Sequence, residues 1–192
     1  MAQGEYLLAL LAIITGLAIT EMVVSVHGLL LNRRSVKWDW LAPLAAALVF
    51  ILIVYSWGIS FRAFSQEPGG LPTWYFILTL CSVIPFYLAG RAALPDHVNV
   101  GDEVDLADHY QFTSRYLWSA IFVSWFIYFA ILLHDAGFER LPIELPRMWP
   151  IFLNFLLMAP LIIWSNRRLH SILVPIFFIF ICVRALPAPM LG

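Results

Sequence analysis

Charge is scarce in this 192-residue chain: 12% of its residues are Asp, Glu, Lys or Arg, and Lys37 is the single lysine. With a formal net charge of -1 there is no basic face for a phosphate backbone, which removes nucleic acid from the partners to consider. Cysteine is nearly as scarce. Cys81 and Cys182 both lie in apolar stretches rather than loops, which argues against a disulfide framework or a zinc ligand set. Signatures of catalysis are missing too. There is no nucleophile elbow, no HExxH, no Gly-rich phosphate loop, and no dense group of polar residues inside the apolar runs. Enzyme is therefore the least supported class.

What the chain has in quantity is hydrophobic surface. Sixty-two per cent of residues are hydrophobic and 16% aromatic, and the mean hydropathy of +0.86 belongs to a membrane protein. Six apolar runs, over 6–31, 40–61, 72–90, 116–133, 148–164 and 169–186, predict an all-α, multi-pass bundle of six transmembrane helices forming one domain over 1–192. Residues 1–5 carry no positive charge, whereas a cleaved signal peptide would require a basic n-region, so none is expected. Trp38, Trp40, Trp74, Tyr75, Tyr116, Trp118, Trp149 and Trp164 flank the runs and read as interfacial aromatic belts.

Basic residues set the expected orientation. The connections after runs one, three and five hold Arg33, Arg34, Lys37, Arg91, Arg115, Arg167 and Arg168, against Arg62, Arg140, Arg147 and Arg184 on the other side. The positive-inside bias then puts both termini on the non-cytoplasmic side. The one long connection, 95–114, is strongly acidic. It is expected to lie in the cytoplasm with a short surface helix over Asp102 to Tyr110.

Glu21 is the most informative candidate. It lies roughly 22 Å into the first helix at 1.5 Å per residue, where an acidic side chain costs about 3 kcal/mol to insert. It must face the bundle interior, be protonated or have a partner, and Ala18, Ser25 and Gly28 on its face leave room for a helix or for water. One reading makes it a proton- or cation-handling residue. The other makes it a structural carboxylate paired with Arg91 or Arg115, with Arg91 the nearer expectation. Gly16 and Thr20 form a small-xxx-small pair expected to pack helices within the monomer.

Weaker constellations complete the candidates. His27 and His170 are placed so that they could ligate a haem, and Asp102, Asp105 and His109 have a spacing that a divalent metal would tolerate. In each case the ordinary role, interfacial hydrogen bonding or a solvated acidic face, is the competing reading, and no cofactor beyond bound lipid is expected. Pro85, Pro160 and Pro175 fall inside predicted helices, where each frees a carbonyl. The polar residues at mid-depth are few, essentially Thr79, Ser82, Ser124 and Asn154.

Two functions compete on these features. A small channel or transporter for protons, cations or a small solute would use Glu21 in its path. A non-catalytic accessory subunit of a larger membrane complex would explain the thin polar lining better, since a hydrated path needs more. With so little mass outside the bilayer, a homo-oligomer or partner membrane subunits are expected. The stretch Thr15-Gly-Leu-Ala-Ile-Thr-Glu21, followed by Arg33-Arg34 and Trp40, and the later Asp105-Leu-Ala-Asp-His109-Tyr110, resemble an uncharacterised group of bacterial six-helix membrane proteins. The resemblance covers about the first 120 residues. It implies the topology and a bacterial inner membrane, and no activity.

Overall fold

A computed structural model describes residues 3–65, 72–96 and 103–185. The chain is all-α. Six helices follow one another: α1 (Gln3–Leu31), α2 (Leu41–Ser65), α3 (Thr73–Ala93), α4 (Leu106–Glu144), α5 (Trp149–Ile163) and α6 (Arg167–Ala185). Five are long and apolar enough to cross a membrane. α5 is shorter, about 22 Å against a hydrocarbon core of about 30 Å, and the 3-10 turn Leu145–Met148 leads into it. Helices α2, α3 and α4 form the centre. α1 packs on α2 and α3, α5 on α4, and α6 on α2. Pro85, Pro160 and Pro175 do lie inside α3, α5 and α6.

The inward stripe of α1 is Leu11, Thr15, Ala18, Met22, Ser25 and Leu29. Its alternating steps of four and three are the repeat that keeps a straight seam against a neighbouring helix. Water is absent from the bilayer core, so close backbone approach rather than hydrophobic transfer holds such helices together. Small residues supply that approach: Ala42, Ala45 and Ala46 on α2, and Ala89 and Ala93 on α3, are all essentially buried. At Gly90 an added Cβ would lie 3.4 Å from the Met22 side chain and 3.5 Å from Ile53, at the crossing of α1, α2 and α3. The expected Gly16–Thr20 seam is elsewhere. Both residues are exposed, a Cβ on Gly16 would meet nothing within 4 Å, and the Thr20 hydroxyl donates back to the Gly16 carbonyl at 2.8 Å. The outward face of α1 carries this pair because α2 and α3 approach from the other side.

The acidic segment also differs from expectation. Instead of a separate surface helix over 102–110 and a span from 116, α4 starts at Leu106 and continues without interruption into the bundle. Asp105 caps it, its Oδ1 accepting from the backbone N–H of Ala107 at 2.9 Å and of Asp108 at 3.3 Å. Gln111 to Arg115 contain no helix breaker, and the buried stripe Leu106, Tyr110, Ser114, Leu117, Trp118, Ile121 runs straight through. Trp118 accordingly belongs to the core, 0% exposed, and not to an interfacial belt. Trp38, Trp40, Trp74, Tyr116, Trp149 and Trp164 are exposed as a belt requires.

Two short loop segments pair in parallel, β1 (Val36–Lys37) with β2 (Val104–Asp105), in the register Val36 to Val104 and Lys37 to Asp105. Arg167, at the start of α6, donates to Asp39 in the α1–α2 loop. The three connections α1–α2, α3–α4 and α5–α6 are thereby gathered at one end of the bundle, as alternating crossings demand.

At the opposite end α4 breaks at Gly137, whose φ of 64° and ψ of 159° interrupt the helical dihedrals. This backbone region is open almost only to glycine, and a side chain held there costs about 1–3 kcal/mol. Gly137→Ala should lower stability by that amount even though a Cβ would meet nothing within 4 Å. Thermal unfolding in detergent checks it, and an unchanged midpoint would show that the break is not maintained in solution.

Candidate functional site

Hydroxyl and aromatic side chains of α2, α3 and α4 converge on a cavity of about 220 Å³ in the half of the bundle away from the paired loops. α2 contributes Tyr55, Ser56 and Ser60, α3 contributes Tyr75, Thr79 and Ser82, and α4 contributes Ser124, Trp125, Tyr128 and Asp135. From Ser124 to Asp135 the α4 wall runs about 16 Å at helical rise. Asp135 and its neighbour His134 are exposed where this wall ends. Toward the paired loops the core closes over Leu48, Leu117, Trp118, Ile121 and Phe177, each 0% exposed. The cavity is thus a dead end and not a continuous pore.

The hydrogen-bond state of the lining sets its chemistry. Ser60 donates to the Ser56 carbonyl at 3.0 Å, Thr79 to Tyr75 at 2.9 Å and Ser82 to Thr79 at 2.7 Å. Their protons are spent on their own helices, so toward the cavity these oxygens can only accept. The one indole donor of the lining, Trp125 Nε1, is buried and without a hydrogen-bond partner among the described residues, as is Ser124 Oγ. Buried polar atoms without partners each cost about 1–3 kcal/mol, and both of these belong to residues of the cavity wall. A second chamber of about 80 Å³ shares Tyr55, Ile59, Trp125 and Tyr128 with the first, and adds Asn154 and Arg184. Asn154 Oδ1 is likewise buried and unpartnered among the described residues.

The residues singled out from sequence are distributed differently. Glu21 is half-buried beside the α1 seam and is not among the residues lining this cavity. It lies within electrostatic reach of Arg91, so the two do share one region of the bundle. The direct partner of Arg91 is Asp96, however, at 2.8 Å, with Tyr87 as a further hydrogen-bond partner. Arg115 is exposed and donates to Ser165 Oγ at 3.4 Å, tying α4 to the α5–α6 turn.

His170, His109 and Asp105 have structural partners. His170 is 2% exposed, with both ring nitrogens engaged: Nε2 lies 2.9 Å from the Trp164 carbonyl and Nδ1 2.9 Å from the Tyr110 hydroxyl. A carbonyl can only accept, so the ring proton is on Nε2, and Nδ1 accepts from Tyr110. His27 is exposed on α1, and no hydrogen bond or ring contact joins it to His170 among the described residues. Asp105 is spent on the α4 cap, and His109 Nε2 lies 3.2 Å from the Ala92 carbonyl. Among the described residues no group of three His, Cys, Asp or Glu is placed to hold a metal. Asp102 lies outside the described residues.

No family model, curated protein or solved structure matches the chain. The cavity was partly legible beforehand. Of the four mid-depth polar residues, Thr79, Ser82 and Ser124 line it and Asn154 lines the second chamber, but Ser56, Ser60, Tyr55 and Tyr128 sit in runs whose hydropathy hides them, and only the packing of three helices brings these seven cavity residues together.

Proposed function

We propose that the protein is a membrane carrier or solute-binding protein that takes a small, largely apolar molecule into the cavity between α2, α3 and α4. The observation that carries this reading is the dead-end cavity lined by tyrosines and accepting hydroxyls, with Trp125 in its wall. A ligand with an apolar body and one group that both donates and accepts, such as an alcohol or a primary amide, complements that lining. A continuous ion pathway through Glu21 is less well supported, because Glu21 stands outside the cavity and the closed core lies beneath it. The arginine bias of the gathered loops favours a mouth on the non-cytoplasmic side, and the resemblance of the first 120 residues favours a bacterial inner membrane.

The test is solvent access to the cavity. In a variant whose own cysteines are replaced, Ser56→Cys and Ser82→Cys should react with a small water-soluble thiol reagent, and small amphipathic alcohols or amides should slow that reaction. Glu21→Gln should leave both the reaction and its protection unchanged. If neither cysteine reacts while Asp135→Cys at the mouth does, the cavity is not reached by water and the reading fails. If Glu21→Gln abolishes protection, the carboxylate belongs to the path after all.

A further inference from the structure

We propose that the groove between α1 and α2 is a binding site for one anionic phospholipid, with an acyl chain along the helices and the phosphate on Arg33 and Arg34. The groove is about 420 Å³ and apolar along its length, with Met22, Val26 and Leu30 of α1 facing Pro43, Ala47 and Phe50 of α2. It lies in the half of the bundle near the paired loops, away from the cavity described above, and does not depend on that cavity's role. From Leu30 to Met22 it runs about 12 Å at helical rise, most of the roughly 15 Å that one leaflet's hydrocarbon occupies.

What selects lipid, and one class of it, is the chemistry at the groove's end. Trp38 lines the groove, and its Nε1 donates to the Arg33 carbonyl at 3.4 Å. The basic run is therefore anchored where the apolar walls reach the headgroup level. Arg33 and Arg34 are exposed and have no carboxylate within 4 Å among the described residues, whereas Lys37 is drawn toward Glu103 at 3.8 Å. Two exposed arginines whose backbone is held by the groove's own indole, at the end of an apolar trough, match a phosphodiester on an acyl chain. Each basic residue near a membrane surface favours anionic lipid, and guanidinium forks bind phosphate oxygens in pairs.

Native mass spectrometry of the delipidated protein in neutral detergent, titrated with palmitoyl-oleoyl phosphatidylglycerol or phosphatidylcholine, tests this. One phosphatidylglycerol should be retained per chain, with a preference over phosphatidylcholine on the order of tenfold. Arg33→Gln with Arg34→Gln should erase the preference. Ala47→Phe, at an exposed position in the trough, should weaken both lipids while leaving the arginines in place. Glycerol phosphate without acyl chains should not bind. Equal retention of the two lipids, or a preference that survives loss of both arginines, would overturn the proposal. So would a dimer whose formation excludes lipid, because a second copy would then be the groove's occupant.

Discussion

Replacing Trp118 with alanine is expected to cost about 3–5 kcal/mol of stability. The side chain is 0% exposed, its ring lies 6.0 Å from that of Phe177 on α6, and its Nε1 donates to the Tyr110 hydroxyl at 3.1 Å. Tyr110 in turn donates to His170, which donates to the Trp164 carbonyl. One substitution therefore opens a cavity between α4 and α6, and removes the first donor of a relay that ties α4 to the end of α5 and the start of α6. Trp118→Phe separates the two contributions. It keeps a ring against Phe177 and should recover all but about 1–2 kcal/mol, the share of one buried hydrogen bond and the lone pair it leaves unmet. Unfolding in mixed micelles followed by circular dichroism measures both variants. A loss below about 1 kcal/mol for Trp118→Ala would mean that the α4–α6 contact is not as closely packed as described.

That relay explains why part of the fold was legible in the sequence and part was not. Six apolar runs yield six helices because a run of apolar residues in a bilayer must satisfy its backbone internally, and five of the six observed helices begin and end within four residues of the runs. α4 escaped because its first turns are polar. Asp105, Asp108 and His109 look like a loop to a hydropathy reading, yet the Asp105 cap and the buried side of Leu106 and Tyr110 make them the opening turns of the longest helix. Trp118 was misplaced for the same reason. A tryptophan two residues into a span belongs to a belt, whereas the same tryptophan twelve residues after the true start lies about 18 Å along the helix, inside the bundle.

The site was legible only in fragments. Gly16 and Thr20 match a packing motif, but a motif names small residues without saying which face the neighbours occupy. The alanines at 42, 45, 46, 89 and 93 do the packing, and composition cannot distinguish them from other apolar residues. Glu21 drew notice because a lone intramembrane carboxylate is costly. The cavity instead collects hydroxyls, each of which costs little alone because it can bond its own helix, as Ser60, Thr79 and Ser82 do. Residues that are individually cheap carry no individual signal, and their convergence is a property of how α2, α3 and α4 cross.

Arg167→Ala is expected to destabilise the protein by about 2–3 kcal/mol, with Asp39→Asn restoring at least half of the loss when added to it. The asymmetry comes from burial. The Asp39 side chain is 6% exposed and that of Arg167 50%, so losing the arginine leaves a carboxylate nearly cut off from water, whereas losing the aspartate leaves a guanidinium that water can still solvate. Asp39 is already short of partners: Arg167 donates to Oδ1, and Oδ2 has no hydrogen-bond partner among the described residues. Breaking a fully buried pair costs about 3–5 kcal/mol, and the half-exposed arginine places this one below that range. Because the pair joins the α1–α2 loop to the start of α6, its loss should also loosen the gathered end. Faster hydrogen exchange at the Val104 amide, which donates to the Ser35 carbonyl on the adjoining ladder, would register that change in Arg167→Ala and recede in the double variant. If the double variant is as unstable as Arg167→Ala alone, the stranded carboxylate is not the source of the cost, and the arginine acts through packing of its stem instead.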